Sequence, residues 1–134
     1  GIAGMFGGWD AGIKTLIIFM ALDYVTGILV ACIFHASKKT ENGACSSHAS
    51  IEGLVRKCTM LLFVVVGSLL DQYTGNSFIR DSIIAGFVAN ELVSLVENAG
   101  LMGIPLPRAI TNAIEVLKQK AERNNDEKVV NKNE

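Results

Sequence analysis

Few residues of this 134-residue chain combine a type and a setting that could do chemistry, and nearly all of them sit inside apolar runs. Asp23 is the one charge in TLIIFMALDYVTGILVACIF, Thr15 to Phe34, where sixteen of twenty residues are apolar. Gly27, one helical turn further on, removes a side chain from the same face and permits close approach by a neighbouring helix. Asn90, Ser94 and Glu97 recur at spacings of four and three, which places them on one helical face with Glu91 and Asn98 flanking it. An acid in an apolar interior must find a partner or give up its charge. Asp23 is therefore expected to meet a backbone or polar group of another helix, or a basic residue such as Arg56 or Arg80. Such a contact either locks helices together or serves proton or ion passage. The face carrying Asn90, Ser94 and Glu97 implies helix-to-helix hydrogen bonds or the lining of a wet passage; a half-buried amphipathic helix is the blander alternative.

Other chemistry finds no support in the spacing. The chain has no G-x-x-x-x-G-K-[ST] phosphate loop, no H-E-x-x-H zinc helix and no G-x-S-x-G nucleophile elbow, so neither catalysis nor a cofactor is expected. Glu91 and Glu97 are six residues apart, on different helix faces, and do not make a paired-carboxylate site on one helix. Cys32/His35 and Cys45/His48 supply four zinc ligands in composition. Their spacing departs from the finger pattern and Cys32 lies in the apolar run, so buried thiols and loop histidines are expected and no metal. Three widely spaced cysteines establish no disulfide framework.

The elements that must position these residues follow from where charge is missing. Of 25 charged residues, ten lie between Glu115 and Glu134, which leaves fifteen for the first 114 positions, too few to cover a soluble domain comfortably. The net charge of -1 carries no basic excess, and no nucleic-acid partner is expected. The pattern predicts an all-α membrane protein in one domain, residues 1–123, with three transmembrane helices at about 14–34, 54–73 and 79–97. A run of about twenty apolar residues suffices to cross a bilayer. The second span needs the flanks of the uncharged CTMLLFVVVGSLL, Cys58 to Leu70, with Arg56 and Lys57 snorkelling toward a headgroup layer and Asp71 at the far end. A polar loop is expected over 35–53.

Pro105 and Pro107 precede a periodic pattern of Ile110, Ala113, Ile114, Leu117 and Ala121, which predicts an amphipathic helix over about 107–123 on the cytoplasmic side. The polar stretch 124–134 is expected to be disordered. Ile2, Met5, Phe6, Trp9 and Ile13 form a helical stripe alongside Gly4, Gly8 and Gly12. This leader reads as an interfacial helix anchored by Trp9, as a small-residue packing face, or as a flexible segment. It lacks an initiator methionine, which suggests a processed or trimmed form. Lys38, Lys39, Arg56 and Lys57 around the first connection place it in the cytoplasm by the positive-inside rule, with the N-terminus outside and the C-terminus cytoplasmic.

Three segments resemble the phage lysis and toxin secretion holin family: LDYVTG at 22–27, LLDQYTG at 69–75 and, most specifically, ANELVSLVENAGLMGIPLP from Ala89 to Pro107. The resemblance runs from about Ile17 to Lys118. Position by position it falls on Asp23, Gly27, Asp71, Asn90, Glu91, Ser94, Glu97 and Asn98, and on Gly103, Pro105 and Pro107. The first connection departs from it, being richer in serine and less basic. The resemblance implies a non-enzymatic protein of the bacterial cytoplasmic membrane, or of a host cell's membrane if phage-encoded. It would oligomerise with itself and open lesions that release a cell-wall hydrolase or a large toxin without required contact. A small channel or transporter subunit, a non-pore scaffold and a soluble helical module are the competing readings.

Overall fold

The computed structural model describes the backbone of residues 1–35 and 45–133 and side chains through residue 123. Among the described residues five helices follow one another: α1 (Ile2–Met5), α2 (Ala11–Cys32), α3 (Ser47–Thr74), α4 (Ile79–Leu101) and α5 (Arg108–Asn133). Each start has a local cause. Asp10 caps α2 by accepting from the Ile13 amide at 3.1 Å. Ser46 caps α3 by accepting from Ala49 N at 3.4 Å. These bonds satisfy amides that a helix leaves without intrahelical partners. Gly75 ends α3 at φ 72°, the left-handed conformation that glycine adopts without strain.

α3 starts at Ser47, so the expected loop over 35–53 gives up its second half to helix. The Ser46 cap and an uninterrupted run without proline account for this. α4 extends four residues past 97. α5 runs on to Asn133, so the tail expected to be disordered continues the helix; it contains no glycine or proline to stop it. Glu134 lies outside the described residues, as do 36–44, which include Lys38 and Lys39 of the expected loop.

α4 is the centre of the molecule and packs on α2, α3 and α5. Ile13, Leu16 and Met20 of α2, Val64 of α3, and Ile84 and Val88 of α4 form the core, with Leu117 of α5 against it. α5 thus lays its apolar face along α4, with Ile114 buried. α3 comes close to the backbone of α4 at Gly67. A Cβ there would stand 2.7 Å from Ile83 Cδ1 and 3.1 Å from Arg80 Cα. Gly27, expected to permit such an approach, does not make it: a Cβ there would meet only Asn98 Nδ2 at 3.9 Å.

α2 and α3 are each long and apolar enough to cross a membrane, and only 22% and 17% of their most apolar windows are buried. Ile18, Leu22, Val25 and Leu29 on α2, and Leu62, Phe63, Val66 and Leu69 on α3, are exposed. Core helices of a soluble protein would be covered, whereas these faces suit lipid. The expected third crossing is not of this kind: α4 has the length, but Arg80, Asp81, Glu91 and Glu97 interrupt it, and among the described helices only α2 and α3 are apolar enough to cross. The polar helix is inside and the apolar helices are outside, as a bundle in hydrocarbon requires.

Candidate functional site

Asp23 of α2, Lys57 of α3 and Glu91 of α4 meet at one level. Lys57 Nζ donates to Asp23 Oδ2 at 2.5 Å and to Glu91 Oε2 at 2.9 Å. The side chains are 4%, 13% and 2% exposed, so the ions rely on one another rather than on solvent. Asn98, two turns beyond Glu91, donates from Nδ2 to Asp23 Oδ1 at 3.0 Å and to Thr26 Oγ1 at 2.9 Å. One cation faces two carboxylates, and an amide completes the shell of one of them. Asp23 lies twelve residues from the start of α2 and nine from its end, roughly 18 and 14 Å along the axis. The cluster is therefore near mid-helix.

A cleft of about 90 Å³ leads to it from the end where α2 stops and α3 starts. Gly27 and Ala31 line it from α2, Ser46, Ala49, Ser50 and Gly53 from the α3 side, and Glu97 and Asn98 from α4, with Lys57 at its inner end. Small side chains leave space there, and the volume would take a few waters at roughly 30 Å³ each.

The opposite end has its own ionic clamp. Arg80 sends Nη1 to Asp10 Oδ2 at 2.8 Å and Nη2 to Asp10 Oδ1 at 3.1 Å, a forked pair. Nη1 also reaches Asp81 Oδ1 at 3.0 Å, Nη2 reaches the Gly8 carbonyl at 3.2 Å, and Nε donates to the Phe6 carbonyl. Gly7, at φ 82°, passes so close that a Cβ would lie 2.6 Å from Arg80 Cδ. The guanidinium thereby holds the glycine-rich leader onto α4. Its hydrogen bonds to Asp10 hold that carboxyl below the ordinary value of 3.8, with burial opposing. Asp71 accepts from the Ile79 and Arg80 amides at 2.9 and 3.1 Å, closing the first turn of α4 from the end of α3.

Among the expected residues, Asp23, Glu91 and Asn98 come together. Asn90 and Glu97 are exposed and Ser94 is half-buried, so the inward face of α4 is the one through Ile84, Val88, Glu91, Leu95 and Asn98, a step around from the face the spacing suggested. Lys57 does not snorkel beside Arg56; it is the cation of the cluster, while Arg56 stays exposed. Neither Arg56 nor Arg80 pairs with Asp23. Asp71 is a helix cap, and Gly103, Pro105 and Pro107 occupy the exposed link between α4 and α5, Gly103 at φ 80°. Trp9 is exposed beside the α2 cap. Cys32 and Cys45 are bonded to each other, which takes up both thiols of the zinc set, and Cys58 is free and exposed. The pairing follows from the hairpin, since Cys32 ends α2 and Cys45 precedes the cap of α3. Lys57 and the Arg80–Asp10 clamp carried no local signal. Lys57 lies 34 residues after Asp23 and 34 before Glu91, a spacing that becomes meaningful only when the helix ends are known.

An all-α bundle with lipid-suited outer faces and a buried ionic cluster defines a membrane-associated protein. The sequence model of the bacteriophage holin family matches residues 1–119, and the chain belongs to that family. It is a holin-type, membrane-permeabilising protein and not an enzyme. The chain is 31% identical over 118 residues to an uncharacterised protein of Clostridium perfringens (strain 13 / Type A), covering 87% of this chain and 82% of that one. An uncharacterised protein of Listeria monocytogenes is 30% identical over 118 residues, covering 87% and 79%. A protein of Bacillus phage phi105 described as a probable holin is 26% identical over 114 residues, covering 84% and 76%. No solved structure matches.

Proposed function

We propose that the chain permeabilises the bacterial cytoplasmic membrane as a homo-oligomer, crossing it three times through α2, α3 and α4, with residues 1–123 acting as one unit. The carrying observation is the split polarity of α4. Its inward polar groups, Glu91 and Asn98, are paired within the chain, whereas Asn90 and Glu97 are exposed on a helix flanked by lipid-suited faces. An exposed amide and carboxylate are costly in hydrocarbon. Association of copies turns them, with Ser94, toward one another or toward a hydrated lumen. Asp23, Gly27, Glu91 and Asn98 then belong to packing inside the subunit, and Asn90, Ser94 and Glu97 to its meeting with other copies.

Lys38, Lys39 and Arg56 favour a cytoplasmic first connection, which leaves the N-terminus outside and the link from α4 to α5 in the cytoplasm; from there α5 folds back along α4, with Leu117 against the core, instead of forming the separate cytoplasmic helix expected from the sequence. Lys57 no longer counts toward that balance. Trp9 and Arg56 suit the two headgroup layers. The phi105 protein's description as a probable holin supports lysis as the outcome, with a cell-wall hydrolase or large toxin as the released cargo. The test is inducible expression with a separately expressed cytoplasmic muralytic enzyme. Abrupt lysis only when both are present supports the reading; steady poisoning by this chain alone, or ion-selective conductance without protein release, refutes it.

A further inference from the structure

α2 and α3 each pack mainly on α4 and meet each other much less. Besides apolar packing, two fastenings join them among the described residues: the ion contact from Lys57 to Asp23 and the covalent bond from Cys32 to Cys45. The second lies at the mouth of the cleft. Cys32 follows Ala31 and Cys45 precedes Ser46, and both neighbours line that cleft. The two Cα atoms are 4.5 Å apart, within the range a disulfide spans without backbone movement. Cys45 is exposed and Cys32 half-buried, so small reagents can reach the pair.

We propose that Cys32 and Cys45 form a reversible thiol–disulfide site that fastens the seam between α2 and α3 and holds the subunit closed. The control of opening rests on the permeabilising reading above. The co-reactant is a small-molecule disulfide of the glutathione type. The exposed Cys45, as thiolate, attacks one sulfur of the reagent, forming a mixed disulfide and expelling one thiolate. The Cys32 thiolate then attacks the Cys45 sulfur and expels the second. The protein loses two electrons and two protons, and the reagent leaves as two thiols. A cytoplasmic connection keeps the pair reduced in a growing cell, so the bond forms under oxidative load and delays opening.

The experiment uses the full chain with Cys58→Ser, reconstituted in dye-loaded liposomes, so that the exposed third thiol cannot compete. Oxidised glutathione should abolish alkylation of both remaining thiols, give an intramolecular bridge by mass, and slow dye release about tenfold, since a covalent bond between residues 13 apart removes freedom that the reduced connection leaves to the two helix ends. A reductant should restore both readings. Cys32→Ser in the same background should leak at the fast rate with or without oxidant. Persistence of both alkylatable thiols, or bridges between chains instead of within one, overturns the site. A complete internal bridge with unchanged leakage overturns its control of opening. If the reduced protein does not leak, the permeabilising reading and that control fall together, while alkylation still decides whether the bond forms.

Discussion

Replacing Lys57 by Met removes the one cation of the Asp23, Lys57 and Glu91 cluster while keeping much of the side-chain volume. At an effective dielectric constant of about 20, contacts at the observed 2.5 and 2.9 Å correspond to roughly 6 kcal/mol each before desolvation. Desolvation of three ions at several kcal/mol apiece, together with repulsion between the carboxylates, takes back most of this. Removing Lys57 deletes the attraction and leaves the acids where they are, 4% and 2% exposed. A broken buried pair of this kind costs about 3–5 kcal/mol. Adding Asp23→Asn and Glu91→Gln removes the stranded charges, so the triple variant should recover most of that loss. The assay is equilibrium unfolding of the purified chain in mixed micelles, followed by circular dichroism, with the single and triple variants compared in one cycle. A single-variant loss below about 1 kcal/mol, or a triple variant no better than the single, would refute the view that these helices are joined through their charges.

The leader should detach on acidification. Asp10 is held below 3.8, so its contribution is complete above that value and is lost as the pH falls through the lower folded one. Trp9, the chain's single tryptophan, should report a fluorescence change that Asp10→Asn shows already at neutral pH. Gly67→Ala should destabilise by about 1–3 kcal/mol because its Cβ would strike Ile83 and the α4 backbone, while Gly86→Ala, which meets nothing within 4 Å, should be neutral or better in the same unfolding assay. Asp71→Ala should cost about 0.5–2 kcal/mol and raise amide exchange at Ile79 and Arg80, whose amides it accepts. In the dye-leakage assay, Asn90→Leu with Glu97→Leu should abolish permeabilisation at matched membrane levels; unchanged leakage would remove these residues from the meeting of copies.

How much of this was legible in the chain depended on whether the deciding force is local. The helices were legible because apolar runs, caps and proline positions act over a few residues: the runs around Asp23 and Cys58 give α2 and α3, and Pro107 marks the start of α5. Their ends were less so, since α3 gains its first turns from the cap at Ser46, a residue that also suits a loop. At the site, the need of Asp23 for a partner could be read from its burial in an apolar run, but the partner could not. Arg56 and Lys57 are adjacent and chemically alike, and a rotation of about 100° between neighbours on a helix decides which one faces α4. The same uncertainty in phase displaced the inward face of α4 from Asn90 and Glu97 to Glu91 and Asn98.

That rotation also separates two demands that the sequence presents as one polar segment. Glu91 and Asn98 are satisfied inside a single chain, through Lys57, Asp23 and Thr26. Asn90 and Glu97 are exposed on the same helix, Glu97 at the edge of the cleft, and neither takes part in the cluster. Within one chain the inward carboxylates share the single cation Lys57, whereas in the proposed membrane setting Asn90 and Glu97 carry the cost of exposure to lipid. On the proposed reading, stability of the subunit and association of copies are carried by different residues of α4. Neutralising Glu91 should therefore loosen the bundle before it alters assembly, and neutralising Glu97 should do the reverse, which unfolding and crosslinking measured side by side will distinguish.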